Sequence, residues 1–129
     1  MTSEHIKNRI EQAYAMEGVN GARLRELRDR RSTIEKGGGA RKLEAIRATG
    51  RGTARERIAM LVDEGSFIEL DAFVTHRTTD HGMHLHPSSG DGVVAGHGSI
   101  DGRRVYCFAQ DFSVHGGSMG EMHALKIAK

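Results

Sequence analysis

The sequence is poor in the residues that build large cores and covalent frameworks. Its 129 residues include no Trp, two Tyr, four Phe, one Pro and one Cys, and 37% of them are hydrophobic. A single cysteine excludes an internal disulfide framework and is typical of a reducing compartment, so we expect a cytoplasmic protein. With so few large apolar side chains, the core should be thin for a chain of this length.

Long hydrophobic runs are also missing. A helix that spans a bilayer needs about 18–20 consecutive apolar residues, whereas 28% of this chain is charged. Residues 1–5 show no basic stretch followed by an apolar one, so no secretory signal is predicted. The composition therefore argues against a membrane protein, and we expect no membrane partner.

Charge is unevenly distributed between the two halves of the chain. Residues 1–62 hold 14 Lys and Arg against eight Asp and Glu, and residues 63–129 hold five against nine. We interpret the basic half as a solvated helical face with i,i+4 pairs such as Glu26 with Arg30. The alternative is a surface for an acidic partner. Stacking aromatics are absent among the arginines, so we expect no nucleic-acid partner.

The first half, residues 1–62, is predicted to be a helical segment. Apolar spacing indicates helices over residues 4–16 and 22–36, the second ending at a flexible triple-glycine stop, and a short third helix around Leu43 and Ile46. A capping box formed by Thr53 and Glu56 predicts the start of a fourth helix.

The second half, residues 63–129, changes to strand periodicity. Short strands are predicted at residues 67–70 and 72–74, and a hairpin over residues 93–109 with Asp101-Gly102 at its turn. A second capping box, from Ser118 to Glu121, predicts a last helix. Its apolar side is expected to carry the following residues: Met119, Met122, Leu125 and Ile127.

A Gly116-Gly117-Ser118 turn lies between the last predicted strand and this helix. Glycines let a backbone approach a ligand, and a helix start offers amides to an anion, so these residues are candidate ligand contacts. The alternative is that the glycines only form the turn and Ser118 only caps the helix. Four histidines share one polar loop, in which His84 and His86 have the spacing of a chelating pair. Cys107 lies in an apolar run and is expected to be buried and inert.

Several longer segments occur in a characteristic order: GRGTARERI (50–58), DEGSFIEL (63–70), GDGVV (90–94), IDGR (100–103) and AQDFSVHGGSMGE (109–121). Together they resemble the opening of the beta subunits of biotin-dependent acyl-CoA carboxylases. These are carboxyltransferases of the propionyl-CoA and methylmalonyl-CoA type.

The resemblance implies an α/β fold. Helices would precede the start of a crotonase-like (ClpP/crotonase) strand-strand-helix superhelix, truncated here, with the carboxyltransferase domain beginning at residue 63. It implies carboxyl transfer from carboxybiotin to the α-carbon of an acyl-CoA such as propionyl-CoA. Its catalytic amides would come from later glycine turns, so no catalytic residue is assigned and the isolated chain is expected to be inactive.

The same resemblance implies partners and site residues. Biotin would be carried by a biotin carboxylase and biotin carrier alpha subunit, and the beta subunits would assemble as hexamers. Gly116, Gly117 and Ser118 become candidate contacts of the coenzyme A ester. Two alternatives stay open: a non-catalytic remnant or partner-binding module, and a small metal-binding protein that uses His81, His84 and His86.

Overall fold

The computed structural model describes residues 18–129 together with Asn8, Glu11 and Gln12. These three residues are helical, and the rest of the helix predicted over residues 4–16 lies outside the described residues. The chain divides into two compact units, residues 1–33 and residues 34–129. The boundary predicted after residue 62 stays a prediction.

The helices of the first half follow the predicted pattern. Helix α1 spans Val19–Glu35, α2 spans Ala40–Ala48 and α3 spans Ala54–Leu61. On α1, Arg30 and Glu26 form the expected i,i+4 ion pair at 2.7 Å between Nη2 and Oε1.

The capping box of α3 is confirmed in both of its bonds. The Glu56 amide donates to the Thr53 hydroxyl at 3.3 Å, and the Thr53 amide donates to the Glu56 carboxylate at 2.8 Å. Two of the four unpaired amides at the helix start are thereby satisfied.

Two of the three glycines after α1, Gly37 and Gly38, pack closely against residues that follow β3, whereas a Cβ atom on Gly39 would meet nothing within 4 Å. A Cβ atom on Gly38 would lie 1.7 Å from the Ser113 carbonyl oxygen. Side chains are thus excluded at Gly38 by contact with backbone from the far end of the chain, a contact that local sequence cannot reveal.

A three-stranded antiparallel sheet forms the centre of the second unit. Strands β1 (Ile68–Leu70), β2 (Val93–Ile100) and β3 (Arg103–Gln110) lie in the order β1-β2-β3. The predicted hairpin is confirmed, with Asp101 at φ 51° and Gly102 at φ 75°, as a two-residue turn with left-handed central positions requires.

The predicted strand at residues 72–74 is wrong. Asp71 adopts φ 54°, and the Val74 amide donates to the Asp71 carbonyl at 3.2 Å, so the chain turns there. Between this turn and β2, the chain forms 3-10 turns at Asp80–Leu85 and Gly90–Gly92.

The core lies between α3 and one face of the sheet. Its buried cluster consists of Ala54, Ile58, Val94 and Ala109, with Val62, Phe67 and Cys107 packed against it. Small side chains bring the helix close to the sheet, in agreement with the thin core expected from composition. A bidentate pair between Arg55 of α3 and Glu69 of β1 reinforces this contact.

The turn of the β2–β3 hairpin is held by one carboxylate. Asp63 accepts hydrogen bonds from the amides of Asp101 (3.0 Å) and Gly102 (2.9 Å) and from the Ser99 hydroxyl (2.7 Å). The Ser99 hydroxyl, followed by the Gly102 amide, lowers the pKa of Asp63 below its ordinary value. The charged form is therefore the one that the folded state binds.

Replacing Asp63 by Ala should lower the free energy of unfolding at pH 7. Because the folded pKa is depressed, the contribution is present above about pH 4 and is lost as pH falls through the folded pKa. Urea unfolding of both proteins between pH 7 and pH 3 should therefore show the difference between them shrinking. Glu64→Ala, at the exposed neighbouring residue, is the control. A difference that stays constant across this range would contradict the assignment.

Candidate functional site

The candidate site is the turn that joins β3 to the last helix, α4 (Glu121–Ala128). After β3, Asp111 to Val114 lead into a 3-10 turn at His115–Gly117. His115, Gly116 and Gly117 have φ values of 46°, 64° and 85°. Three successive left-handed residues reverse the chain tightly, which explains why two of them are glycine.

The two glycines are required for different reasons. A Cβ atom on Gly117 would lie 2.5 Å from Cδ1 of Phe112, whereas one on Gly116 would meet nothing within 4 Å. Gly117 therefore seats the Phe112 ring against the backbone. Gly116 needs only its left-handed conformation and leaves an open surface above the turn.

The amides of the turn are partly used. The Gly117 amide donates to the Val114 carbonyl at 3.0 Å, and the Ser118 amide donates to the His115 carbonyl at 3.2 Å. These two amides are therefore not free to bind an anion together. Gly116 and the Ser118 side chain are exposed and remain accessible to a ligand.

A buried polar network supports the turn from beneath. The Asp111 carboxylate accepts from the amide and the hydroxyl of Ser113 at 2.9 and 2.5 Å. The Ser113 hydroxyl in turn accepts from the Gly38 amide at 2.8 Å. Because Ser113 is fully buried and both its amide and its hydroxyl are hydrogen-bonded, this network sets the direction in which the chain enters the turn.

The capping box predicted from Ser118 to Glu121 is wrong. Helix α4 begins at Glu121 with Gly120 as its N-cap, and no side-chain capping bond comes from that residue. Instead, the carboxylate of Asp91 accepts from the His123 amide at 2.9 Å. A residue distant in sequence therefore performs the capping that the local pattern assigned to Ser118.

The buried face of α4 is polar, contrary to prediction. His123 and Lys126 are buried, at 0% and 6% exposure, whereas of the four apolar residues predicted for that side Met119 and Leu125 are exposed and Met122 and Ile127 are half-buried. The Lys126 ammonium donates to the carbonyls of Gly90 (2.9 Å) and Val93 (2.6 Å). These contacts, together with the Asp91 cap, attach the helix to the residues that precede β2.

Burial lowers the pKa of Lys126 from its ordinary value, and three nearby carboxylates oppose this shift: Glu69, Asp71 and Asp91. The two carbonyls replace the water that the ammonium loses on burial.

Sequence reasoning overlooked Asp91, Asp111, Ser113 and Lys126. The Gly-Asp-Gly triplet was the signal available, because two flanking glycines indicate a left-handed run around Asp91.

A second polar contact lies beside the turn. The Ser88 hydroxyl and His115 Nε2 are 2.7 Å apart, and the His76 ring meets the His115 ring edge to face with centroids 6.0 Å apart. Together they tie the loop before β2 to the turn after β3. His76 Nε2 also lies 3.1 Å from the His86 carbonyl oxygen.

The metal-binding alternative gains no support. Within the part of the chain that the structure describes, no group of three or more His, Cys, Asp or Glu side chains is placed to hold an ion. His81 and His86 are exposed, and His84 Nδ1 lies 3.4 Å from the Thr79 carbonyl oxygen.

Cys107, predicted to be buried and inert, is half-buried. It packs against the core cluster, and burial raises its pKa. A thiol with a raised pKa is less ionised at neutral pH and is therefore a poorer nucleophile.

Comparison with protein families matches residues 45–129 to the carboxyl transferase domain. The chain belongs to the carboxyl transferase domain family. The matched region includes α3, the whole sheet, the turn at residues 115–118 and α4. The predicted resemblance is confirmed.

Similar proteins are longer than this chain. It is 57% identical over 106 residues to the propionyl-CoA carboxylase beta chain of Cereibacter sphaeroides, covering 82% of this chain and 21% of that relative. It is 49% identical over 111 residues to methylmalonyl-CoA decarboxylase subunit alpha of Propionigenium modestum, covering 86% and 22%. The chain thus spans about a fifth of the length of these relatives.

A solved relative has the same fold. The structure of transcarboxylase 12S, described as a hexamer assembly with methylmalonyl-coenzyme A bound, is 45% identical with a TM-score of 0.82. The match covers 87% of this chain and 21% of that one. The predicted α/β class with a crotonase-like fold is confirmed. None of the helices in the described ranges is long and apolar enough to cross a bilayer.

Within this carboxyl transferase domain, the two turn glycines provide a matched test. Both Gly116→Ala and Gly117→Ala place a side chain at positive φ, at a cost of roughly 1–2 kcal/mol each. Only Gly117→Ala also displaces the Phe112 ring, so we expect its loss of unfolding free energy to be the larger by about 1 kcal/mol or more. Urea denaturation of both variants checks this. Equal losses would contradict the proposed seating of Phe112.

Replacing Lys126 by Met should destabilise the domain by about 1–3 kcal/mol. Two buried carbonyls lose their donor, and the removal of a buried charge offsets part of that loss. Lys129→Met is the control, because its 3.0 Å pair with Asp71 is largely exposed and should contribute less than about 1 kcal/mol. Thermal and urea unfolding measure both. Similar losses in the two variants would show that burial of Lys126 has no special role.

Proposed function

We propose that the chain forms part of a carboxyltransferase that moves a carboxyl group between carboxybiotin and the α-carbon of an acyl-CoA such as propionyl-CoA or methylmalonyl-CoA. The observation that carries this proposal is the family match over residues 45–129, which includes every element around the candidate turn. Relatives named for propionyl-CoA and methylmalonyl-CoA support this substrate class.

Within that activity, we propose that this chain binds the coenzyme A ester. Gly116, Gly117 and Ser118 remain the proposed contacts. The open surface over Gly116 allows close approach of the ligand, and the exposed Ser118 hydroxyl can donate to or accept from an amide of the pantetheine arm. Gly117 has a second role, because the absence of a side chain there leaves room for the Phe112 ring.

Biotin, carried by a partner protein, would supply the carboxyl group. The amides of Gly117 and Ser118 already donate within the turn, so they do not fit the stabilisation of an oxyanion on biotin. No step on biotin is therefore assigned to these residues.

The assembly is part of the same proposal. We expect a homo-oligomer of such subunits, in line with the hexamer named for transcarboxylase 12S, beside a biotin carboxylase and biotin carrier alpha subunit. The cytoplasmic location stays a prediction.

Binding of propionyl-CoA to the purified chain tests the assigned role. Isothermal titration calorimetry should give one site per chain. Ser118→Ala should weaken binding about two- to tenfold, the loss expected for one hydrogen bond. Ser32→Ala, on the exposed surface of α1, is the matched control and should bind like the parent. Failure of the folded chain to bind propionyl-CoA would overturn the proposal.

A further inference from the structure

The loop that precedes β2 touches the candidate turn through two histidines and a serine. The Ser88 hydroxyl lies 2.7 Å from His115 Nε2, and the His76 ring meets the His115 ring edge to face, with centroids 6.0 Å apart. His115, at φ 46°, is the first residue of the left-handed run that continues through Gly116 and Gly117. We call these three side chains, of His76, Ser88 and His115, the loop–turn contact. It holds the residue at which the turn begins.

The hydrogen bond of His76 fixes which of its nitrogens carries the proton. Its Nε2 lies 3.1 Å from the His86 carbonyl oxygen, which can only accept, so Nε2 is the donor and Nδ1 of the neutral ring is unprotonated. Nδ1 is buried, and no group among the described residues is a hydrogen-bond partner for it. A second proton on this ring would therefore create a buried N–H group without an acceptor, which is costly.

Charge on both rings of the contact would add electrostatic repulsion. Within residues 18–129, neither His76 nor His115 forms an ion pair with a carboxylate that would offset it. The side chain of His86 is exposed. The charged groups on the neighbouring elements are engaged elsewhere: Arg77 with Met122 and, at 3.9 Å, with Glu121, Asp91 with the His123 amide, Asp111 with Ser113, and Lys126 with the Gly90 and Val93 carbonyls.

These features make the loop–turn contact sensitive to acid. Histidine is the side chain that ordinarily gains its charge as pH falls from about 8 to 5. The closed contact accommodates a neutral His76 and disfavours a charged one. Its stability is therefore present above that range and is lost as pH falls through it.

We infer that His76 is an acid-sensitive switch, whose protonation releases the loop from the turn and thereby weakens ligand binding at the turn. At neutral pH the contact orders the turn, and an ordered turn loses less entropy when a ligand binds. The inference rests on the proposed function for the identity of that ligand, an acyl-CoA.

Ser88 has a different role from His76. His115 Nε2 can accept from the Ser88 hydroxyl when the ring is neutral and donate to it when the ring is protonated, so this hydrogen bond persists in acid. Ser88→Ala should therefore loosen the contact at every pH. His76→Gln should instead remove the pH dependence, because its uncharged amide can still donate to the His86 carbonyl.

Amide relaxation measured by NMR on residues 77–88 of the full chain tests the switch without any ligand. In the parent, these residues should be ordered at about pH 7.5 and more mobile at about pH 5.5. His76→Gln should keep them ordered at both values. The matched control is His97→Gln, since the His97 ring also meets a ring edge to face, that of Tyr106 at 5.8 Å, and should behave like the parent. Equal order at both pH values in the parent would overturn the inference.

Calorimetry with propionyl-CoA tests the effect on the turn. Between about pH 7.5 and 5.5, the affinity of the parent should fall about fivefold more than that of His76→Gln, the loss expected from one like-charge contact and one unmet donor. The two proteins must be compared, because phosphate groups of the ligand titrate in the same range. His97→Gln should lose affinity like the parent. Circular dichroism at both pH values identifies any loss that is caused by unfolding.

Failure of the inference can be told from failure of the proposed function. If the folded parent does not bind propionyl-CoA at neutral pH, the proposed function is overturned, and the relaxation data still decide whether acid releases the loop. If the parent binds and its affinity falls no more than that of His76→Gln, regulation of the turn is excluded and the acyl-CoA site stands. Release of the loop in the parent and in His97→Gln but not in His76→Gln, with matching losses of affinity, supports the inference.

Discussion

The attachment of α4 to the segment before β2 is the constraint on which the rest of the structure depends. Gly90, Asp91 and Gly92 are successive left-handed residues with φ values of 78°, 45° and 72°. Their conformation directs the Gly90 carbonyl to Lys126, the Asp91 carboxylate to the start of α4, and the Gly92 carbonyl to the Asp111 amide, at 2.8 Å. One short segment thereby sets the positions of the helix, of the end of β3 and of the turn between them.

Polar attachment has a consequence for the surface of the domain. Lys126 and His123 occupy the buried side of α4, whereas Leu125 of this helix and Met119, just before it, are exposed. The exposed aromatic side chains of Tyr106 and Phe108 lie on β3. Burial of a lysine is costly unless its ammonium is hydrogen-bonded, and here two backbone carbonyls meet that requirement. The helix is therefore specified by direction-dependent hydrogen bonds rather than by a broad apolar contact.

The candidate turn is held in place by contacts that lie away from its exposed surface. Gly38 donates to Ser113, Ser113 donates to Asp111, and Gly117 seats Phe112. The turn between them has little freedom, although its surface is open. Such preorganisation lowers the entropy that a bound ligand must remove.

The sequence by itself determined the elements whose signals are local. The Thr53–Glu56 capping box and the Asp101-Gly102 hairpin each depend on residues within a few positions of one another. The order of the family segments is likewise a property of the sequence itself. Tertiary structure alone decided how α4 begins and which of its faces is buried. Asp91 caps a helix about thirty residues away, and Gly90 and Val93 supply the acceptors that make burial of Lys126 acceptable. Local periodicity assigns the apolar side of the helix to the core, because it contains no information about hydrogen-bond partners in distant segments.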